Sequence, residues 1–163
     1  YSYIGLQGLE MESLHGIHIH TWGDLSSASG SAAGSHWDPK NTAHHAWPHH
    51  LPRHRGDLGN IAFYDNTGVA YYYEEFNSDT ELSVLGIETE SVIGRAMILH
   101  AKPDDGCTQP VGEAGDRLAQ CVIGYADFDE LPQPPFVIPP QTQAECYPPE
   151  DIMPLDDNNP CTY

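Results

Sequence analysis

The chain has 163 residues and a formal net charge of −18, from 24 acidic residues against only 6 lysines and arginines. This charge argues against nucleic acid and anionic membranes as partners, because their phosphates would be repelled. Hydrophobic residues make up 39% of the chain, with 15 glycines and 14 prolines, a mixture typical of short strands joined by many turns.

Alternating apolar residues predict two strands at the start of the chain, over 1–9 and 14–23. A long irregular stretch over 24–59 follows, rich first in serine, glycine and alanine and then in histidine and proline, and loops of this size are usually functional. The later elements are a hairpin at 60–76, strands at 81–86 and 91–101, a second long loop at 102–116 and a last strand at 117–128.

The composition changes at about Glu130, because 9 of the 14 prolines lie between Pro132 and Pro160. A helix or central strand is excluded there. We therefore divide the chain into a folded domain, 1–129, and a proline-rich acidic extension, 130–163. No stretch approaches the roughly 20 apolar residues of a membrane helix. The chain does not start with a charged and then apolar leader at residue 1, so we expect a mature or truncated chain.

The four cysteines, Cys107, Cys121, Cys146 and Cys161, form no CxxC pair, which argues against a zinc ribbon. Together with the acidic charge and the proline-rich extension, they predict the disulfides of a secreted protein. Among three possible connectivities we favour Cys107–Cys121 and Cys146–Cys161.

Nine of the ten histidines lie within residues 15–54, and the tenth, His100, ends an apolar strand. His18 and His20 are two residues apart, so in a strand they share one face. Imidazoles with a nearby carboxylate suit copper and zinc. Further candidates are spaced along the first long loop: His36, His44, His54 and Asp57. The alternative is a solvated, histidine-rich loop, which we favour for three others: His45, His49 and His50.

Five segments resemble, in order, the signature blocks of copper/zinc superoxide dismutases: GIHIHTWGD, GSHWDP, HRGDLGNI, VIGRAMILHAKPDD and GEAGDRLAQCVIGYA. The resemblance covers about residues 1–127. It implies an all-β, Greek-key sandwich or barrel with two long functional loops.

The resemblance also implies the ligands of two metals. Copper would be bound by His18, His20, His36 and His100, and zinc by His36, His44, His54 and Asp57. His36 would bridge the metals and deliver a proton to the outgoing peroxide, while Arg117 would hold the superoxide anion. Asp104 would bond the outer nitrogens of His18 and His44. Copper can alternate between oxidation states and zinc cannot, so the redox step would belong to copper.

Several features depart from this family. Gly30 and Gln120 stand where the family's disulfide would be, and the second loop has no lysine from Asp105 to Asp116 to steer superoxide. Two strands should precede the one near Tyr1. We expect that they are lacking or supplied by another chain, and that the open edge drives a homo-oligomer larger than a dimer, through 1–7, 69–76 or the extension.

The acidic, histidine-rich domain with its extension further resembles the SOD-like haemolymph proteins of bivalve molluscs, which predicts an extracellular location in haemolymph or plasma. Two functions then compete. One is an active dismutase, and the other is an abundant, self-assembling metal carrier with little or no activity. A third interpretation, a calcium- or mineral-binding protein, rests on charge alone.

Overall fold

The computed structural model describes residues 9, 12–63, 70, 72, 82–84 and 90–125. All of them lie in the first of two units into which the chain divides, 1–125, and the second, 126–163, lies outside the described residues. The predicted first strand (except residue 9), most of the 60–76 hairpin and the proline-rich extension also lie outside them. The domain boundary and the two preceding strands stay predictions.

Four strands form one antiparallel sheet in the order β2-β1-β3-β4. They are β1 (Ser13–His20), β2 (Asp57–Phe63), β3 (Ala96–His100) and β4 (Arg117–Val122). A 3-10 turn at Ser31–Ala33 is the only helical element among the described residues. The all-β prediction is confirmed. The described part of the chain also contains no helix with the length and apolarity needed to cross a bilayer.

Strand β1 separates the core from the histidines. Ile17 and Ile19 are each 1% exposed and pack into the main core, where Ile17 pairs in register with Leu99 of β3. His18 and His20 alternate with them and therefore face the other side of the sheet. Because both faces of β1 are covered, a strand can carry two imidazoles without exposing either one.

The first long loop is anchored along β1 by its backbone. Trp37 N–H donates to Ile19 O at 2.8 Å, Ile19 N–H to Gly56 O at 2.9 Å, and Gly56 N–H to Trp37 O at 2.9 Å. A Cβ at Gly56 would lie 2.1 Å from the Ile19 carbonyl oxygen, so only glycine fits there. The loop therefore holds His36 and Asp57, the neighbours of Trp37 and Gly56, beside the histidine face of β1.

The predicted Cys107–Cys121 bridge is wrong. Cys121 is a free, exposed cysteine, whereas Cys107 is disulfide-bonded. Cys121 pairs in register with Met97, and strand alternation turns its side chain away from the face used by Gln120. Cys146 and Cys161 lie outside the described residues.

Candidate metal centre

One group of four buried histidines gathers ring nitrogens that all lie within 4.8 Å of one another. Its members are His18, His20, His36 and His100. Strand β1 supplies two of them, the end of β3 supplies one, and the first loop supplies His36, which forms an isolated β-bridge with His20. The structure thus assembles the four residues that the sequence predicted as copper ligands.

His20 and His100 are each oriented by a hydrogen bond that the outer ring nitrogen donates. His20 Nδ1 donates to Gly34 O at 2.9 Å, and His100 Nδ1 donates to Gly115 O at 3.1 Å. The two Nε2 atoms then lie 3.4 Å apart. Because a carbonyl only accepts, the proton sits on Nδ1 and the Nε2 lone pair is directed into the centre.

A second buried group shares His36 with the first and consists of His36, His45, His54 and Asp57. The Nδ1 atoms of the three imidazoles lie 2.7, 3.0 and 3.2 Å from Asp57 Oδ1. Asp57 Oδ2 instead accepts the backbone N–H groups of His54, at 3.1 Å, and Ala46, at 3.3 Å. Three imidazole nitrogens thus converge on one carboxylate oxygen, which is the nitrogen and oxygen donor set that suits zinc.

His36 belongs to both groups through different nitrogens. Its Nδ1 faces Asp57 Oδ1 at 2.7 Å, while its Nε2 is buried with no hydrogen-bond partner among the described residues. Buried polar atoms are normally paired. Two further ring nitrogens, His18 Nδ1 and His45 Nδ1, share this state within the described chain. These orphaned lone pairs point to metal ions as the absent partners, and the donor sets fit copper in the first group and zinc in the second.

The structure reverses the prediction for the adjacent His44 and His45. His44 is exposed, whereas His45 is fully buried in the second group. The cause is Gln109, whose side chain accepts from His45 N–H at 2.7 Å and donates to His45 O at 2.8 Å. That clamp turns His45 inward, and nothing in the HH doublet itself distinguishes the two residues.

Asp104 links the two groups from outside, as predicted, but through His45 instead of His44. Its carboxylate lies 2.6 Å from His18 Nε2 and 2.8 Å from His45 Nε2. Gly112 has a φ of +71°, and a Cβ there would lie 2.2 Å from Asp104 Oδ1. Sequence reasoning missed Gln109 and Gly112, both of which lie in the second loop and shape this link.

Burial sets the charge state of the first group. It lowers the pKa of His20 to about 2, and those of His36 and His100 to about 4. Neutral imidazoles keep the lone pairs that metal binding requires. In the second group burial would lower the pKa of His45, but the carboxylates of Asp104 and Asp57 beside it raise that pKa to about 9.

Arg117 and Gln120 of β4 fasten the first loop at the place where the resemblance implied a disulfide. Arg117 donates to Gly30 O at 2.5 Å and to Gly34 O at 2.6 Å, and Gln120 Nε2 donates to Ser27 O at 3.0 Å. Gly34 O also accepts from His20 (above). The guanidinium therefore meets the His20 ring at one carbonyl and borders the first group. Burial, and to a smaller extent the charges of His36 and Arg117, lower the pKa of His20.

Residues 3–123 match the family described as copper/zinc superoxide dismutase (SODC). The chain is 42% identical over 113 residues to extracellular superoxide dismutase [Cu-Zn] 2 of Dictyostelium discoideum, covering 69% of this chain and 24% of that protein. It is 36% identical over 129 residues to superoxide dismutase [Cu-Zn] of Paramecium bursaria Chlorella virus 1, covering 76% and 65%. The chain therefore spans less than two thirds of either relative.

A solved structure, the crystal structure of the clock protein EA4, is similar with a TM-score of 0.63 and 36% sequence identity. The similarity covers 74% of each chain.

Proposed function

The chain belongs to the copper/zinc superoxide dismutase family, and we propose that it is an extracellular copper- and zinc-binding protein competent to dismute superoxide to oxygen and hydrogen peroxide. The extracellular location is supported by the name of the Dictyostelium relative. It agrees with the disulfide at Cys107, since disulfides persist in oxidising compartments.

One observation carries the proposal: a single imidazole, His36, is shared by two buried ligand groups. Copper would be held by His18, His20, His36 and His100, and zinc by His36, His45, His54 and Asp57. Bound copper would supply the one-electron redox chemistry, which zinc cannot supply.

The residues of the chain bring substrate and proton to this site. The Arg117 guanidinium is held against the first loop beside His20 and can attract an anion to the mouth of the first group. His36 can hold a proton at Nε2, its orphaned nitrogen, and deliver it to the departing peroxide. Asp57 and Asp104 fix the imidazoles in the orientations that both tasks need.

The test is metal content and dismutase rate of the purified full chain and of His36→Ala. We expect one copper and one zinc per native chain, and loss of both zinc retention and turnover in the variant, because both groups lose a ligand. His50→Ala is the matched control, since His50 is an exposed histidine of the same loop. Full turnover in His36→Ala would contradict the proposal.

The second candidate is an abundant secreted metal carrier with little dismutase activity, related in role to the SOD-like haemolymph proteins. The distribution of positive charge supports it. The net charge is −18 with all 6 lysines and arginines included. Of these, Arg53 and Arg95 are buried and Lys40 is paired with Glu90, so few of them can attract an anion from solution. Such a field repels superoxide at long range. Stoichiometric metal without measurable turnover would favour the carrier.

We also propose that the chain forms a homo-oligomer larger than a dimer. The segments on which the sequence based this expectation lie mostly outside the described residues. Support comes from large apolar side chains that are exposed, with Trp22 62% and Val122 44% accessible. Gly23, next to Trp22, lies against Val122, since a Cβ there would be 3.1 Å from Val122 Cγ1. Exposed apolar side chains that belong to neighbouring stretches of backbone can form such an interface.

A further inference from the structure

Arg53 is a buried arginine that immediately precedes the turn carrying two ligands of the second group. Its side chain lies inside the protein, with only 4% of the residue exposed. Nη1 donates to the carbonyl oxygen of His54 at 2.8 Å, and lies within 3.3 Å of Arg55 O and 3.4 Å of Asp57 O. A buried guanidinium is costly unless its donors are used, and here Nη1 is directed to the backbone of one turn.

The same turn is closed by its own residues. Asp57 N–H donates to His54 O at 3.2 Å, and His54 N–H donates to Asp57 Oδ2 at 3.1 Å. His54 O thus accepts from Arg53 and from Asp57, which occupies both of its lone pairs. Asp57 Oδ1 is left facing the three imidazole nitrogens (above). The relative placement of His54 and Asp57 depends on this turn, and the turn surrounds one guanidinium nitrogen.

We propose that Arg53 is a positioning residue for the zinc half of the centre, which rests on the proposed function. Its Nη1 contacts the backbone of this turn. That nitrogen holds the carbonyls of residues 54, 55 and 57 around one point and so fixes the angle at which His54 and Asp57 enter the second group. A lysine offers a rotating ammonium on a flexible stem in place of a nitrogen held in a rigid plane, and a glutamine is too short to reach all three carbonyls.

The test compares the metal-free full chain with Arg53→Gln and Arg53→Lys, using Zn²⁺ and Cu²⁺ separately in chelator competition. Loss of an outer partner typically weakens metal binding by about 10- to 100-fold. We expect a loss of that size for Zn²⁺ in Arg53→Gln and a smaller one in Arg53→Lys. We expect Cu²⁺ affinity to change by less than about threefold, because all four residues of the first group lie outside this turn.

Co²⁺ bound in the zinc position gives a visible spectrum that reports ligand geometry, and we expect its bands to shift in Arg53→Gln. Arg55→Gln is the matched control, since it removes the same charge from the next arginine in the chain, which is more exposed than Arg53. Its zinc affinity and cobalt spectrum should stay those of the native chain.

Native zinc affinity in a folded Arg53→Gln would overturn the inference, and so would equal losses for both metals, which indicate a general structural role. If Arg53→Gln does not fold, Arg53→Lys decides by the same ratio of zinc to copper losses, and failure of both variants to fold also overturns it. A native chain that binds no zinc would overturn the proposed function itself and this inference with it.

Discussion

Replacing His45 by alanine should abolish tight zinc binding, whereas the same change at the adjacent His44 should leave it intact. The two residues differ in environment and not in chemistry. His45 is completely buried between Asp57 and Asp104, and His44 is exposed. The pair is therefore a matched test of where the structure places the fourth ligand of the second group.

The expected losses of zinc affinity and of stability in His45→Ala follow from the number of ligands and from burial. Structural zinc sites bind with about 10–16 kcal/mol, so one ligand in four is worth about 3–4 kcal/mol, or a 100- to 1,000-fold change in affinity. His45→Ala also takes one imidazole partner from each of two buried carboxylates, Asp57 and Asp104, and breaking a buried charge pair costs about 3–5 kcal/mol. His44→Ala should change the free energy of unfolding by less than about 0.5 kcal/mol, as exposed substitutions do.

The assay is chelator competition with Zn²⁺ on metal-free protein, together with thermal unfolding of each variant with and without zinc. Zinc should raise the unfolding temperature of the native chain and of His44→Ala, because a ligand that binds only the folded state stabilises it. It should raise that of His45→Ala far less. If His44→Ala loses zinc and His45→Ala keeps it, the assignment from the structure is refuted and the original sequence prediction is right.

Three further predictions concern Arg117, Gly112 and assembly. Arg117→Glu should lower any dismutase turnover severely, and the remaining rate should rise with salt as repulsion is screened; an unchanged rate at all salt concentrations would contradict a role in anion binding. Gly112→Ala should unfold more easily than Gly94→Ala in denaturant titrations. Both residues have positive φ, which costs a non-glycine residue about 1–2 kcal/mol, but only at Gly112 would the new Cβ also collide with Asp104. Light scattering at micromolar concentration should give a mass above that of a dimer, and a monodisperse 18.0 kDa species would refute the proposed oligomer.

The strands and most of the ligands could be predicted from the sequence because they depend on local pattern. Alternation of Ile17 and Ile19 with His18 and His20 requires a strand with an apolar face and an imidazole face, wherever the strand lies in the fold. His36 and Asp57 were predicted as ligands from the family's signature blocks, which are also local, because each is a short run of residues. The ends of the strands were predicted less accurately. Strand β3 begins at Ala96 and not at 91, because Gly94 has a positive φ and turns the chain before it.

The choice between His44 and His45, and the free state of Cys121, were decided only by tertiary structure. Each depends on a residue distant in sequence: Gln109, 64 positions away from His45, clamps the backbone that selects the inward histidine. The registry of β4 against β3 fixes the direction of Cys121. The sequence by itself determined which residue types could bind metal and on which strand face they stand, because those properties are periodic. Packing between the two loops determined which of two neighbouring histidines enters the site. This choice could not be predicted from the sequence, because a hydrogen bond between distant residues produces no periodic pattern in the chain.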